Sequence, residues 1–130
     1  MKPRVLIIDD DEAITQQLFW TLSVDYDVIT ANDFQTAVRR ATIYAPDVSI
    51  LDLRLPPTDN STSVGLRILE YIKAHVPRSK VVVMTGAGGT DTQLACRAGG
   101  ADEFINKPFD VGELLSTMRR LTGLRQLDIA

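Results

Sequence analysis

The sequence is short of cysteine, histidine and long apolar runs. It holds one cysteine and one histidine in 130 residues, so no internal disulfide can form and a reducing compartment is favoured. The first apolar run, residues 5–8, ends at a group of acids and is too short for a signal peptide or a membrane span. We therefore expect a cytoplasmic protein without a membrane partner.

Basic residues are not in excess either. The formal net charge is −3, whereas a nucleic-acid-binding module normally presents a strongly basic face. Direct binding of nucleic acid by this chain is therefore not expected. The length suits one domain, and the hydrophobic fraction of 45% and the charged fraction of 24% are ordinary for a globular protein.

Apolar runs alternate with amphipathic segments five times along the chain. The predicted strands comprise residues 5–8, 27–30, 48–51, 81–84 and a short segment around 104–105. The predicted helices comprise residues 12–23, 34–44, a segment through 68–72, 91–98 and 110–121. Two of the strands, residues 5–8 and 81–84, are uninterrupted apolar runs, and residues 48–51 are apolar except for Ser49, which is typical of a sheet covered by helices on both faces. Five strand–helix units in sequence predict an α/β fold with a doubly wound parallel sheet.

Polar residues follow four of the predicted strands. They are Asp9 and Asp10, Asp52, Thr85 and Lys107. Each has an ordinary structural explanation on its own, since Asp often caps a helix and Thr or Lys often lies at the surface. In doubly wound sheets, however, ligands bind beyond the carboxyl ends of the strands. The joint placement of these residues at that edge predicts a functional site.

The residue types in this site point to one chemistry. Three carboxylates brought within several ångströms repel one another and must take up protons or hold a cation. With no His or Cys beside them, the cation that suits them is Mg²⁺. A carboxylate can also act as a nucleophile toward phosphorus. Lys107 and Thr85 would then supply a cation and a hydroxyl donor for the charge that develops.

Four motifs resemble the receiver domain of response regulators in two-component systems. They are Asp9-Asp10 after an apolar strand, Ile50-Leu51-Asp52-Leu53-Arg54-Leu55-Pro56, Met84-Thr85-Gly86 and Lys107-Pro108-Phe109. Intervals of 42, 33 and 22 residues separate Asp10, Asp52, Thr85 and Lys107 in turn, as in that family. The resemblance covers residues 4–122. It implies a flavodoxin-like (βα)5 fold with the strand order 2-1-3-4-5 that is typical of chemotaxis receivers.

The resemblance also implies a role for each acid. Asp52 is the phosphoacceptor. Asp9 and Asp10 form the acidic pair of the Mg²⁺ site, with Asp10 a direct ligand, and Asp52 completes the carboxylate set. Arg54 is expected to contribute its backbone carbonyl to the metal.

Three further residues receive a role from the resemblance. Thr85 is the hydroxyl that follows the phosphoryl group, and Lys107 is the counter-ion of that group. Phe104 is the aromatic residue that changes position in the switch together with Thr85. The peptide bond between Lys107 and Pro108 is expected to be cis, which only about 5–6% of X-Pro bonds are in folded proteins.

The implied function is that of a signalling switch, which catalyses only its own phosphorylation and dephosphorylation. The expected partner is a sensor histidine kinase or a phosphotransfer protein, and the switched surface comprises the fourth helix, fifth strand and fifth helix. Residues 1–122 form the domain, and residues 123–130 form a short tail that could begin a linker to an output domain. The last helix carries Glu113, Arg119 and Arg120 without the full set of charged pairs of dimerising receivers. Weak homodimerisation therefore stays open.

Two features depart from the family pattern. The segment 57–64 makes the loop between Pro56 and Gly65 about five residues longer than is usual, either as a tolerated surface insertion or as a lid or kinase contact. Glycine weakens helices, and several glycines flank the fourth helix, which is therefore expected to be short and mobile. These glycines stand at positions 86, 88, 89, 99 and 100.

Three other functions are weaker matches. A dinucleotide-binding loop would follow the first strand, whereas the glycine-rich segment 84–90 follows the fourth. A phosphatase with an aspartyl nucleophile would need a second acid where Arg54 stands. A non-phosphorylated pseudo-receiver would lack one of Asp10, Asp52 or Lys107, and all three are present.

Several other reactive or polar residues have structural explanations. Asp11 and Glu12 suit the N-terminus of the first helix as cap and dipole residues. Cys96 is expected to pack in the interior and His75 to lie at the surface. Trp20 is expected to pack or to lie half-exposed on the first helix.

Overall fold

Five strands and five helices alternate along the part of the chain that the structure describes. The computed structural model describes residues 2–53, 63–86 and 90–123. The strands are β1 (Arg4–Ile8), β2 (Asp27–Ala31), β3 (Val48–Asp52), β4 (Lys80–Thr85) and β5 (Glu103–Asn106). The helices are α1 (Glu12–Leu22), α2 (Phe34–Tyr44), α3 (Ser63–His75), α4 (Thr90–Ala98) and α5 (Val111–Thr122).

The strands form one parallel sheet in the order β2-β1-β3-β4-β5. The predicted doubly wound fold and its strand order are therefore confirmed. The central strand β3 lies between β1 and β4, with Ile50 level with Ile7 and Val82. The carboxyl ends of β1, β3, β4 and β5 consequently meet at one edge.

The apolar runs are continuous because both faces of the sheet are covered. Successive residues of a strand point to opposite faces, and β1 shows the result directly. Val5 and Ile7 belong to a core with buried residues of α1 and α5. Leu6 and Ile8 belong to a second core with buried residues of α2, α3 and α4. Helical packing on both sides removes any need for polar residues between the ends of the strand.

Aspartates begin three of the helices. The Asp11 side chain accepts hydrogen bonds from the backbone N–H groups of Ala13 and Ile14 and caps α1, as predicted. Asp33 caps α2 and Asp110 caps α5 in the same manner. Each cap satisfies backbone donors that have no partner within the helix. α5 therefore begins one residue later than the predicted 110–121.

Helix α3 packs closely against the chain that leaves β3, and a glycine makes this approach feasible. The Gly65 N–H donates to the carbonyl of Leu53 at 3.2 Å. A Cβ atom at position 65 would lie 2.4 Å from the Leu53 Cα atom. The predicted insertion 57–64 lies outside the described residues up to residue 62, while Ser63 and Val64 already belong to α3.

Helix α4 is short, as its flanking glycines predicted. It comprises nine residues and ends at a turn in which Gly100 has φ of +103°, a conformation that favours glycine. Residues 87–89 lie outside the described residues. Across the described parts of the chain, every helix is too short or too polar to cross a membrane.

Candidate functional site

Three carboxylates converge at the carboxyl edge of the sheet. Asp9 directly follows β1, and Asp52 is the last residue of β3, the neighbouring strand. Both are buried, with 4% and 7% of their surface exposed, whereas Asp10 is exposed. Each of the three offers a carboxylate oxygen within 4.8 Å of the others. The predicted acidic group therefore forms, and its position at the sheet edge makes it a group that could hold a metal ion.

Lys107 joins two of these carboxylates. Its ammonium nitrogen Nζ donates to Oδ2 of Asp9 at 2.9 Å and to Oδ2 of Asp52 at 3.1 Å. Burial lowers the pKa of Lys107, but the hydrogen bond to Asp9 and the charge of Asp52 outweigh it and raise that pKa above its ordinary value. Lys107 is therefore a permanent cation in this site. The peptide bond from Lys107 to Pro108 is cis, as predicted.

Asp9 is held on both sides. Its second oxygen, Oδ1, accepts the backbone N–H of Asp11 at 2.9 Å, and its own N–H donates to the carbonyl of Ala31 at 3.0 Å. Because Asp11 also caps α1, the start of that helix fixes the Asp9 carboxylate, which in turn orients Lys107. Hydrogen bonds to the end of β2 and to the start of α1 thus fix Asp9 in place.

The site keeps a negative excess. Three carboxylates and one ammonium group give these four residues a formal net charge of −2. Carboxylate oxygens without imidazole or thiolate ligands suit a hard divalent cation. The donor set therefore fits Mg²⁺ by its charge and by the type of its atoms.

A cleft of about 890 Å³ opens beside the acidic pair, between α1, the end of β2 and α2. Its lining includes both acids of the pair, Asp9 and Asp10, together with Trp20 and Arg40. Trp20 is 73% exposed, which is more than the half-exposure predicted for it. The cleft gives solvent and hydrated ions a route to the carboxylates.

Thr85, Arg54 and Phe104 are the other predicted site residues, beyond the group of charged side chains described above. Thr85 ends β4 opposite Asn106 of β5, which brings its backbone to the same edge; its side chain lies outside the described residues, and so does Arg54. Phe104 does not join the carboxylate group. Its half-buried ring packs against the core on the α3 and α4 side, with the guanidinium carbon of Arg97 4.8 Å from the ring centroid.

Two contacts at the site were not predicted from the sequence. The glycine at position 65 is part of the family pattern, but nothing in the sequence indicated its close contact with Leu53. The contact of Arg97 with Phe104 was also missed, since a basic residue in the last turn of a helix ordinarily indicates only a favourable dipole interaction. Cys96 is buried and His75 exposed, as predicted.

Comparisons with known proteins agree in one family. The sequence profile described as the response regulator receiver domain matches residues 5–119. The chain is 36% identical over 127 residues to the DNA-binding dual master transcriptional regulator RpaA of Synechocystis, covering 97% of this chain and 51% of RpaA. It is 35% identical over 120 residues to the transcriptional regulatory protein KdpE of Staphylococcus aureus, covering 92% of this chain and 49% of KdpE. The chain thus spans about half the length of these curated relatives.

A solved structure shares the fold and reports relevant chemistry. It is a response regulator from Burkholderia pseudomallei with a phosphorylated aspartic acid, a calcium ion and citrate. The two chains superpose with a TM-score of 0.79 at 25% identity, and the match covers 88% of this chain and 65% of the other.

Proposed function

Because this chain belongs to the response regulator receiver domain family of two-component systems, we propose that Asp52 accepts a phosphoryl group from the phosphohistidine of a sensor kinase or phosphotransfer protein. One observation carries the proposal: a buried carboxylate at the end of the central strand lies 3.1 Å from a lysine ammonium group and beside two further carboxylates. A buried carboxylate costs free energy unless it is paired, and acids held against a specific charge partner in this way cluster at functional sites.

The transfer is a displacement at phosphorus. A carboxylate oxygen of Asp52 forms the new O–P bond as the P–N bond to the donor imidazole breaks, and the bonding electrons return to that imidazole. Lys107 keeps its proton throughout and offers its N–H groups to the phosphoryl oxygens, whose charge is spread in a loose transition state. Asp9 holds the ammonium group in place for this purpose. We assign the hydroxyl contact to Thr85 on the strength of its position at the end of β4.

We also propose Mg²⁺ as the cofactor. Asp10 and Asp52 would bind it directly, Asp9 would complete the acidic set, and the backbone carbonyl of Arg54 would be a further ligand. When bound, the ion supplies positive charge to the phosphoryl oxygens and relieves the repulsion between the carboxylates. The negative excess of the four charged residues supports this assignment.

Phosphorylation is proposed to act on the surface of α4, β5 and α5, with Phe104 changing position together with Thr85. The receiver domain would comprise residues 1–122. Residues 123–130 would lead toward an output domain, since the match covers only about half the length of the relatives KdpE and RpaA. RpaA is named as a DNA-binding regulator, so a DNA-binding output attached to this receiver is one proposal for its effector. The cytoplasm stays the predicted compartment.

Labelling by a small phosphodonor tests the proposal. Acetyl phosphate with Mg²⁺ should add one phosphoryl group, with acetate as the leaving group, and intact-mass measurement would detect it. Asp52→Asn should abolish the label, while Asp25→Asn, the same change in the turn after α1, should label like the wild type. EDTA should suppress labelling of the wild type and of Asp25→Asn. Equal labelling of the wild type and Asp52→Asn would overturn the proposal.

A further inference from the structure

A cation–π contact joins α4 to the last strand of the sheet. The guanidinium carbon of Arg97, in the last turn of α4, lies 4.8 Å from the centroid of the Phe104 ring. A cation within about 6 Å of a ring centroid is attracted by the electrons of the ring face. Arg97 forms no ion pair within the described parts of the chain. The interaction that its guanidinium group makes there is the one with the Phe104 ring.

This contact matters because α4 is loosely attached. Within residues 91–98 only Cys96 is buried. The helix is followed by Gly99 and Gly100, and Gly100 has a φ angle of +103°. An element with few buried apolar contacts opens at a low free-energy cost. The Arg97 contact therefore adds to a small set of contacts that hold α4 in place.

Phe104 is placed to pass a change at the phosphorylation site to that helix. It pairs with Val83 of β4, and its ring is half-buried against the core. Three residues further along the same chain segment stands Lys107, which binds Asp9 and Asp52. The strand that carries the ring therefore leads directly to the lysine that contacts Asp52.

We propose that Arg97 is a positioning residue that holds the Phe104 ring in its half-buried place and thereby favours the unphosphorylated conformation. The proposal rests on the proposed function, in which Phe104 changes position when Asp52 is modified. For the ring to change position, its contact with the guanidinium group of Arg97 has to break. At an exposed site such a contact is worth about a two- to five-fold change in an equilibrium constant.

Fluorine NMR with beryllium trifluoride, a phosphoryl mimic that binds a carboxylate, tests this proposal. The full chain is labelled with 4-fluorophenylalanine, and the Phe104 resonance is assigned by its loss in Phe104→Leu. Titration with beryllium trifluoride and Mg²⁺ then gives both the apparent affinity and the shift of that resonance. Arg97→Gln is expected to bind the mimic about two- to five-fold more tightly than the wild type, since less of the binding free energy is spent on breaking the contact. Arg97→Lys, which keeps a cation, should restore most of the wild-type affinity.

Two controls separate the ring contact from a general effect of charge. Arg120→Gln removes a cation from the α5 side of β5, where Arg120 pairs with Glu103 at 2.6 Å, and it should leave the affinity unchanged. Arg97→Gln in a Phe104→Leu background should add nothing to the effect of the leucine. Equal shifts from Arg97→Gln and Arg120→Gln would overturn the proposal in favour of surface charge.

The outcomes also separate this proposal from the function on which it rests. If the wild type binds the mimic and its Phe104 resonance moves, but Arg97→Gln matches the wild type, the role of Arg97 is refuted and the switch stands. If the wild-type resonance does not move on binding, the proposed switch is refuted and the role of Arg97 with it.

Discussion

Replacing Lys107 with methionine removes the single ammonium group that faces the three carboxylates. The ammonium nitrogen lies 2.9 Å from Asp9 and 3.1 Å from Asp52, and at an effective dielectric constant near 20 each attraction is worth roughly 5–6 kcal/mol before the cost of burial. Breaking a buried ion pair by removing one partner typically costs about 3–5 kcal/mol. We therefore expect Lys107→Met to lose this much of the free energy of unfolding at pH 7 without metal.

The acids themselves set an upper limit to this loss. Once the repulsion exceeds the cost of taking up a proton, a carboxylate of the cluster becomes neutral. For an ordinary aspartate this cost is about 4 kcal/mol at pH 7 and about 1.5 kcal/mol at pH 5. The variant binds more protons when folded than when unfolded, so its stability relative to the wild type should fall as the pH rises from 5 to 7.

Urea unfolding followed by circular dichroism measures the effect, in EDTA and at both pH values, so that the variant is compared where it is still folded. Lys80→Met is the matched control, because Lys80 is exposed at the start of β4 and should lose less than about 0.5 kcal/mol. Addition of Mg²⁺ should stabilise Lys107→Met more than the wild type. A loss below about 1 kcal/mol at pH 7, or an equal loss at both pH values, would contradict the charge arrangement described here.

Two further predictions concern packing and alkaline stability. Gly65→Ala should lower the free energy of unfolding in urea by about 1–3 kcal/mol, because the added methyl group would lie 2.4 Å from the Leu53 Cα atom. Gly112→Ala is the control: this residue lies in the first turn of α5, where a Cβ atom makes only ordinary contacts, so the change should raise the free energy of unfolding by up to about 1 kcal/mol. Equal effects of the two changes would contradict the close packing at Gly65. Burial raises the pKa of the Cys96 thiol above 9.0 and that of the Tyr26 phenol above 10.0. The contacts of Lys107 with Asp9 and Asp52 raise the pKa of Lys107 above 10.5. The folded state then holds protons that the unfolded chain releases, so the free energy of unfolding should fall as the pH rises above about 9. If the free energy of unfolding of Tyr26→Phe falls as steeply between pH 10 and 11 as that of the wild type, the phenol does not contribute.

The fold class was accessible from local sequence because its signals are local. Largely apolar runs of strand length alternate with segments of helical spacing, and this alternation predicts a parallel sheet covered on both faces. The same reasoning placed Asp9, Asp52 and Lys107 at one edge, since each follows or ends a strand and parallel strands share their carboxyl edge. The strand order and the individual roles came from family resemblance and not from the periodicity.

The sequence predicted the boundaries of the strands and helices less well than it predicted the strands and helices themselves. Asp52 belongs to β3 rather than following it, and the predicted long loop is shorter at its end because Ser63 and Val64 are helical. Whether a residue at the margin is helical depends on the hydrogen bonds that its backbone finds in the folded protein. For α3 one such contact is the N–H of Gly65 on the carbonyl of Leu53.

What the sequence determined by itself was therefore the set of elements and the identity of the charged residues that meet at the sheet edge. The tertiary structure alone decided that Lys107 bridges Asp9 and Asp52, that Asp10 stays exposed, and that Arg97 covers the ring of Phe104. These contacts join residues on different elements, up to 98 positions apart in the chain. Side-chain pairing over such separations depends on the relative placement of strands and helices and on rotamers fixed by packing, neither of which is encoded in any local pattern.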